Sequence, residues 1–267
     1  MASAGADDPP SNTTHKHANE EERADDSAVV NPSHAGVTAV PAGVSSDRCF
    51  LQTYSFGSAS GARLAVSSLE RRCASASSAA LGSFVWPSAL MLAAYLEQHM
   101  REAIRGATVL ELGAGRSVSG LLAAQLGAAQ VILTDADPAA LADAELTVRL
   151  NGLSRAQVQV HSLAWGEFHA GTAALVGRVS LLLGADVLYD ARDFEQLLAT
   201  VAYFGVPLLT VYQHRGEGLR RSVRRCSSGR LRAGQRAVAS GRAYTVCACV
   251  ASVTSAAGCV SWLASGA

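Results

Sequence analysis

Two points in the chain, each directly after an apolar run, carry residue types that suit the binding of a polar ligand. The run Val109–Leu112 is followed by Gly113 and Gly115. Glycine lets a backbone turn sharply and approach a ligand where a side chain would clash. Asp135 closes the next apolar run about 20 residues later, a position from which a carboxylate accepts hydrogen bonds from both hydroxyls of a ribose. Together the two points predict a nucleoside-binding site.

The glycine turn departs from the fingerprint of a dinucleotide-binding loop. That fingerprint requires a glycine three positions after Gly115, but Val118 stands there and the next glycine is Gly120. We expect Glu111, just before the turn, to aim its carboxylate toward the loop as a ligand-binding group. There it would repel a pyrophosphate and attract a positively charged amino group. An NAD(P)-linked oxidoreductase therefore stays open but is not the interpretation that we favour.

From residue 107 onward, apolar runs alternate with helical patterns. Continuous Val/Leu/Ile strands separated by helices are typical of a parallel sheet that helices cover on both faces. Pro138 predicts the start of one of these helices, with Asp137 as its N-cap. Two short alternating runs within residues 49–69 predict a β-hairpin. We therefore predict an α/β fold with a doubly wound, mostly parallel sheet and a short N-terminal hairpin.

Composition divides the chain into three ranges. Residues 1–47 are rich in Ala, Ser, Asp, Pro and His and carry an acidic run, which predicts a disordered tail. Residues 48–218 carry the hairpin and the α/β pattern. Residues 219–267 are rich in Arg, Ser and Gly, which leaves open either weak closing strands or an unfolded Arg-rich tail. Because aromatic residues do not interleave the arginines, we expect no nucleic-acid partner.

The global composition excludes several classes of protein. The 267 residues are 49% hydrophobic and 16% charged, which rules out a chain that is disordered or fibrous throughout. Because the formal net charge is zero, we expect neither duplex DNA nor an anionic membrane as partner. The six cysteines lack paired spacing, so we expect reduced thiols and no metal site. Since neither a signal peptide nor an 18-residue apolar stretch is present, we expect a soluble protein of the cytoplasm, the nucleus or both.

Five motifs occur in an order that resembles a known family. They are Val85-Trp-Pro87, Glu111-Leu-Gly-Ala-Gly115, Thr134-Asp135, Leu163-Ala-Trp-Gly166 and Gly184-Ala-Asp-Val-Leu-Tyr189. Their order and approximate spacing resemble the family-16 protein methyltransferases, which are Rossmann-like, class I (seven-strand) enzymes dependent on S-adenosylmethionine. The resemblance covers residues from about 82 to 214.

The resemblance implies S-adenosyl-L-methionine as the cofactor. The implied cofactor contacts are Trp86, Gly113, Ala114, Gly115, Asp135, Trp165 and Ala185. Asp186 and Tyr189 are implied to line the mouth where the methyl acceptor enters, and we assign the catalytic role to this pair. The implied acceptor is an arginine or lysine side chain of a protein, such as a histone or a chaperone. A non-catalytic binding or scaffold module with the same fold is the alternative, and the oligomeric state stays open with a monomer as the expectation.

Overall fold

The computed structural model describes residues 33–38, 49–57, 63–71, 78–213, 236–239, 242–253 and 260–263. The strands are β1 Ser33–Thr38, β2 Cys49–Phe56, β3 Leu64–Arg71, β4 Thr108–Leu112, β5 Gln130–Asp135, β6 Val158–Ser162, β7 Leu181–Ala185, β8 Pro207–Gln213, β9 Arg236–Ala239, β10 Arg242–Val253 and β11 Val260–Leu263. The α-helices are α1 Pro87–His99, α2 Arg101–Ile104, α3 Val118–Gln125, α4 Pro138–Leu150, α5 Ala170–Ala173 and α6 Phe194–Phe204. Short 3-10 helices occupy Ser78–Ser83 and Ala191–Asp193.

The main sheet has the strand order β11-β10-β8-β7-β4-β5-β6, with β9 paired to β10. Strands β4 to β8 run parallel to one another, and β10 is antiparallel to β8. From β4 the chain first moves outward through β5 and β6, then returns to the other side of β4 for β7 and β8. This reversal between β4 and β7 is the point where ligands bind in open α/β sheets. The predicted doubly wound, mostly parallel sheet is confirmed.

Helices cover both faces of the sheet because successive strand residues point to opposite sides. On β4, Val109 packs in the cluster that also holds α1 and α3, whereas Leu110 and Leu112 pack in the cluster that holds α6. These side chains are fully buried, as expected for a strand covered on both faces. Because the sheet is packed on both faces, the core fixes the position of the sheet edge at which the carboxyl ends of the strands lie.

Strands β2 and β3 form the predicted antiparallel hairpin, whose connection lies outside the described residues. The structure differs from the prediction upstream, because β1 pairs with β2 although it falls within the range predicted to be a disordered tail. An extended segment beside the exposed edge of β2 can satisfy its backbone hydrogen bonds there despite a weak apolar pattern. The prediction for the rest of residues 1–47 concerns positions outside the described part of the chain.

Proline begins two of the helices, in accord with its fixed φ and missing N–H. Pro87 follows the N-cap Trp86 at the start of α1, and Pro138 follows the N-cap Asp137 at the start of α4. The carboxylate of Asp137 accepts a hydrogen bond from the Ala139 backbone N–H at 2.9 Å, which confirms the predicted cap. Among the described residues, no helix is long and apolar enough to cross a membrane.

In the C-terminal range, the structure has closing strands, one of the two alternatives left by the sequence. Strand β10 pairs with β8 over residues 244–250 and with β11 over residues 250–253. These strands extend the same sheet beyond β8. The arginine-rich residues 214–235 lie outside the described ranges, so the expectation that they bind no nucleic acid stays a prediction.

Candidate functional site

A cavity of about 480 Å³ opens at the carboxyl ends of β4, β5 and β7, within the usual volume range of small-molecule sites. It lies where the strand order reverses, and its walls come from loops that are far apart in sequence. Nine of the ten predicted site residues line it: Trp86, Gly113, Ala114, Gly115, Asp135, Trp165, Ala185, Asp186 and Tyr189. The tenth, Glu111, does not.

The glycine turn lines the cavity. Gly113 and Gly115 have φ values of 59° and 47°, in the left-handed region that glycine adopts without steric cost. A Cβ atom at position 113 would lie 3.2 Å from the ring of Trp165, so glycine also gives the indole room to pack over the turn. The Ala114 N–H donates to the Thr134 carbonyl at 2.8 Å and ties the turn to the end of β5.

Asp135 organises the loops that follow β4 and β5. Its Oδ2 accepts a hydrogen bond from the Gly115 N–H at 2.9 Å, and its Oδ1 accepts one from the Asp137 N–H at 3.0 Å. A carboxylate offers about four acceptor sites, so these two bonds leave capacity for ligand hydroxyls. Asp135 is half-buried and lines the cavity, which agrees with its predicted separation from the capping residue Asp137.

The prediction that Glu111 points toward the ligand loop is wrong. Its side chain is 2% exposed and faces α3, where Oε2 accepts a hydrogen bond from the Gly120 N–H at 3.0 Å. Burial raises the pKa of Glu111 to about 8, although hydrogen bonds from Gly120 and Ser119 act in the opposite direction. Alternation along β4 places residue 111 on the α3 side of the sheet, so Glu111 supports the start of that helix from inside the core.

Two indole rings line the cavity. The Trp86 Nε1–H donates to the Leu81 carbonyl at 2.8 Å, and its ring lies 4.5 Å from that of Phe84 at an interplanar angle of 45°. Trp165 packs over the turn at Gly113. Each ring therefore has a polar or packing partner that holds it at the edge of the cavity rather than in the core.

Asp186 occupies a strained position at the end of β7. Its φ is 58°, uncommon for a non-glycine residue, and strain of this kind is typical of functional sites. Its N–H donates to the Val211 carbonyl at 2.8 Å, which holds the backbone against β8. The residue is only 6% exposed although it lines the cavity with Ala185, and its Oδ1 accepts a hydrogen bond from the Gln213 N–H at 3.5 Å.

Tyr189 stands at the rim of the same cavity and is 41% exposed. Burial of the phenol, followed by the negative charges of Asp193, Asp135 and Asp190, raises its pKa. The hydroxyl therefore stays protonated at neutral pH and can donate a hydrogen bond. The ring offers an aromatic face to a cation.

The charges that line the cavity are mainly negative. Carboxylates come from Asp135, Asp137, Asp186 and Asp193. Among the described lining residues, Arg116 supplies the positive charge, and its guanidinium is bound to Asp143 at 2.7 Å. Such a site favours a cationic ligand and opposes a pyrophosphate, which argues against the dinucleotide interpretation.

Sequence reasoning missed several residues that build this cavity. Leu81, Gly82 and Phe84 line one wall, and the carboxylate of Glu70 on β3 accepts a hydrogen bond from the Val85 N–H at 3.1 Å. Arg116 and Asp143, which are 27 residues apart, form a buried ion pair. No local pattern marks such long-range partners. One feature of the sequence could have indicated that Asp193 and Gln196 line the cavity. Both lie at the start of a helix that follows the end of a strand.

Two histidines outside the cavity have exposed side-chain partners. The Nε2 atom of His161 lies 3.2 Å from Gln159 Oε1, and the Nε2 atom of His169 lies 3.3 Å from Glu167 Oε2. Within the part of the chain that the structure describes, no group of three or more His, Cys, Asp and Glu residues is arranged to hold a metal ion. His214 lies outside those residues.

The chain is similar to proteins of known activity. A sequence model of the lysine methyltransferase family matches residues 70–215. The mouse histone-arginine methyltransferase METTL23 is 42% identical over 125 residues, or 46% of this chain and 47% of that protein. Human METTL23 is 37% identical over 139 residues, or 49% of this chain and 70% of that protein. Mouse EEF1A lysine methyltransferase 3 is 36% identical over 128 residues, or 48% of this chain and 53% of that protein.

The matched segment lies on the sheet and cavity, from the end of β3 to just beyond β8. The chain spans about half the length of the mouse, rat and frog METTL23 proteins that it matches. The likeness thus concerns the fold of this segment and the motifs that line the cavity.

Proposed function

From the premise that this chain belongs to the lysine methyltransferase family, we propose that it transfers a methyl group from S-adenosyl-L-methionine to an arginine or lysine side chain of a protein. The observation that carries the proposal is the convergence of five separated motifs on one acidic, aromatic-lined cavity at the reversal of the sheet. Relatives with 36% to 42% identity are named as protein methyltransferases, which supports this reaction class.

The residues of the cavity fit this cofactor. Asp135 retains acceptor capacity for ribose hydroxyls, and Gly113 and Gly115 expose backbone to the cavity where a bulky side chain would fill the space. The carboxylates favour a ligand that carries a sulfonium and an ammonium group. When bound, S-adenosylmethionine supplies a methyl group that its sulfonium already activates. The chain itself then has to orient an acceptor, which is a proximity effect worth several kcal/mol.

Asp186 and Tyr189 are the residues that we propose for acceptor orientation. The Asp186 carboxylate can hold a guanidinium or ammonium group by a charge-assisted hydrogen bond, and the Tyr189 ring can contact the same cation. Both residues line the cavity with Ala185, Asp186 being buried and Tyr189 exposed. No group in this scheme forms a covalent intermediate with the protein.

Substrate and location are part of the proposal. A histone or a chaperone is the proposed substrate, and a histone is supported by the METTL23 relatives, which are named as histone-arginine methyltransferases. We place the protein in the nucleus, the cytoplasm or both, acting as a monomer.

The first experiment is calorimetric titration of the purified chain with S-adenosylhomocysteine and, separately, with NADH. We expect binding of S-adenosylhomocysteine alone. Asp135→Asn should weaken it by about 1 to 3 kcal/mol, because an amide nitrogen cannot accept hydrogen bonds from ribose hydroxyls. Asp190→Asn is the matched control, since it makes the same substitution at a carboxylate that caps a short 3-10 helix and does not line the cavity, and it should leave the affinity nearly unchanged.

The outcomes separate the candidate functions. Absence of heat at millimolar S-adenosylhomocysteine would remove the cofactor assignment, and binding of NADH would favour an oxidoreductase. Transfer of labelled methyl from S-adenosylmethionine to core histones or to proteins of a lysate tests catalysis. Ligand binding without transfer to any protein would favour the non-catalytic module.

A further inference from the structure

Arg116 connects the glycine turn to three other parts of the fold. Its side chain is 3% exposed, and its Nη1 donates to the Leu69 carbonyl of β3 at 2.7 Å and to the Asp143 carboxylate of α4 at 2.7 Å. Its Nε donates to the Gly82 carbonyl in the segment before α1. One guanidinium therefore ties the N-terminal hairpin, α4 and the segment of residues 81–86 to the end of the glycine turn, because Arg116 directly follows Gly115.

Residues 81–86, named here the cavity wall, face the glycine turn. Leu81, Gly82, Phe84, Val85 and Trp86 all line the cavity. The approach is close, because a Cβ atom at position 115 would lie 3.7 Å from the Cα of Gly82.

Glu70 and Arg116 make polar contacts that hold the cavity wall against other parts of the chain. The carboxylate of Glu70 accepts from the Val85 N–H at 3.1 Å, and Arg116 donates to the Gly82 carbonyl. The carbonyl next to Gly82, that of Leu81, accepts from the indole N–H of Trp86 at 2.8 Å. A shift of Gly82 would therefore be passed on to the Trp86 ring.

The partner of Arg116 is itself held in place. Asp143 has a side chain that is 5% exposed, and its Oδ2 also accepts from Arg71 Nε at 2.7 Å. Burial alone would raise the pKa of Asp143, but hydrogen bonds and charges from Arg71 and Arg116 outweigh burial and lower it. The pair is thus charged on both sides, and a guanidinium provides donors in a planar fork that a lysine cannot reproduce.

Stability alone does not account for this arrangement. Apolar residues of similar volume commonly stabilise a buried site as well as an ion pair does, because both charges must leave water. The guanidinium has a property that an apolar side chain lacks, which is the ability to fix two backbone carbonyls at set distances from the glycine turn. We propose that Arg116, oriented by Asp143, is a positioning residue that holds the cavity wall and the Trp86 ring at the spacing that the ligand requires. The inference rests on the proposed function only for the identity of that ligand.

The test compares Arg116→Met with Arg71→Met. Both variants remove an arginine from the same carboxylate, but Arg71 is 41% exposed and does not line the cavity. For Arg116→Met we expect about 10-fold weaker binding of S-adenosylhomocysteine and a matching rise in KM for S-adenosylmethionine, with kcat within about 2-fold of wild type. For Arg71→Met we expect an affinity within about 2-fold of wild type.

A second measurement does not depend on any ligand. Hydrogen exchange of the free protein, far below its unfolding temperature, should be about 10-fold faster at residues 81–86 in Arg116→Met and unchanged there in Arg71→Met. Arg116→Lys, which keeps the charge beside Asp143, should fall between wild type and Arg116→Met in both measurements, and it replaces the methionine variant if that variant does not fold.

Two results would overturn the inference. One is a folded Arg116 variant with wild-type affinity and wild-type exchange in the cavity wall. The other is an equal loss of affinity in the Arg71 and Arg116 variants, which would indicate a purely structural ion-pair network. Failure of the wild-type protein to bind S-adenosylhomocysteine would contradict the proposed function, while the exchange measurement would still decide the role of Arg116.

Discussion

Replacement of Gly120 by alanine tests how the structure supports the glycine turn from behind. A Cβ atom at this position would lie 2.4 Å from Leu133 Cδ2 and 2.6 Å from Glu111 Oε2, both closer than real contacts allow. Neither neighbour has room to move, because Leu133 is fully buried and Glu111 is 2% exposed. Overpacking of this kind costs about 1 to 3 kcal/mol. Displacement of the Glu111 carboxyl from the Gly120 N–H costs about 1 to 3 kcal/mol more.

Helix propensity acts in the opposite direction, since alanine is favoured over glycine in a helix interior by about 1 kcal/mol. The net expectation for Gly120→Ala is a loss of about 1 to 5 kcal/mol in the free energy of unfolding. Urea unfolding followed by far-UV circular dichroism measures this loss as a lower midpoint at unchanged slope.

Gly171→Ala provides the matched control. It makes the same substitution in a helix, but no heavy atom lies within 4 Å of the added Cβ. We expect this variant to be unchanged or up to about 1 kcal/mol more stable. If Gly120→Ala were as stable as Gly171→Ala, the close packing of α3 on Glu111 would be refuted, and with it the reason why position 120 is glycine.

Two further predictions concern the acceptor site and the buried carboxyl. Asp186→Asn should lower kcat/KM for methylation of core histones by about 10- to 100-fold with little change in S-adenosylhomocysteine affinity, because asparagine tolerates the left-handed backbone but removes the charge. Tyr189→Phe should have a milder effect since the ring remains, and full activity in both variants would leave the acceptor assignment without support. The pKa of Glu111 is raised from 4.5 to about 8, so the stability that it contributes is greatest below pH 4.5 and is lost as the pH rises to about 8. Glu111→Gln should flatten this part of the pH profile of unfolding, and an unchanged slope would show that another group titrates.

Sequence alone predicted the parts of the site that local rules govern. Glycine at a strand end, an aspartate that closes the next strand and a proline that opens a helix each act within a few residues. Because the carboxyl ends of parallel strands meet at one edge of a sheet, locating the strand ends was enough to bring Gly113 and Asp135 into one cavity. The resemblance to a family added the two tryptophans, Asp186 and Tyr189.

Tertiary structure decided the direction of Glu111 and the partners of Arg116. Glu111 stands just before the turn, but this position does not reveal that its side chain faces α3. The face of β4 that a helix covers depends on the packing of the whole sheet. Arg116 meets Asp143 and the Gly82 carbonyl across separations of 27 and 34 residues. The pairing of β1 with β2 likewise depends on a free sheet edge rather than on the weak apolar pattern of residues 33–38. Contacts of this kind form only when the whole core is assembled, because each partner leaves water only if the other is already in place.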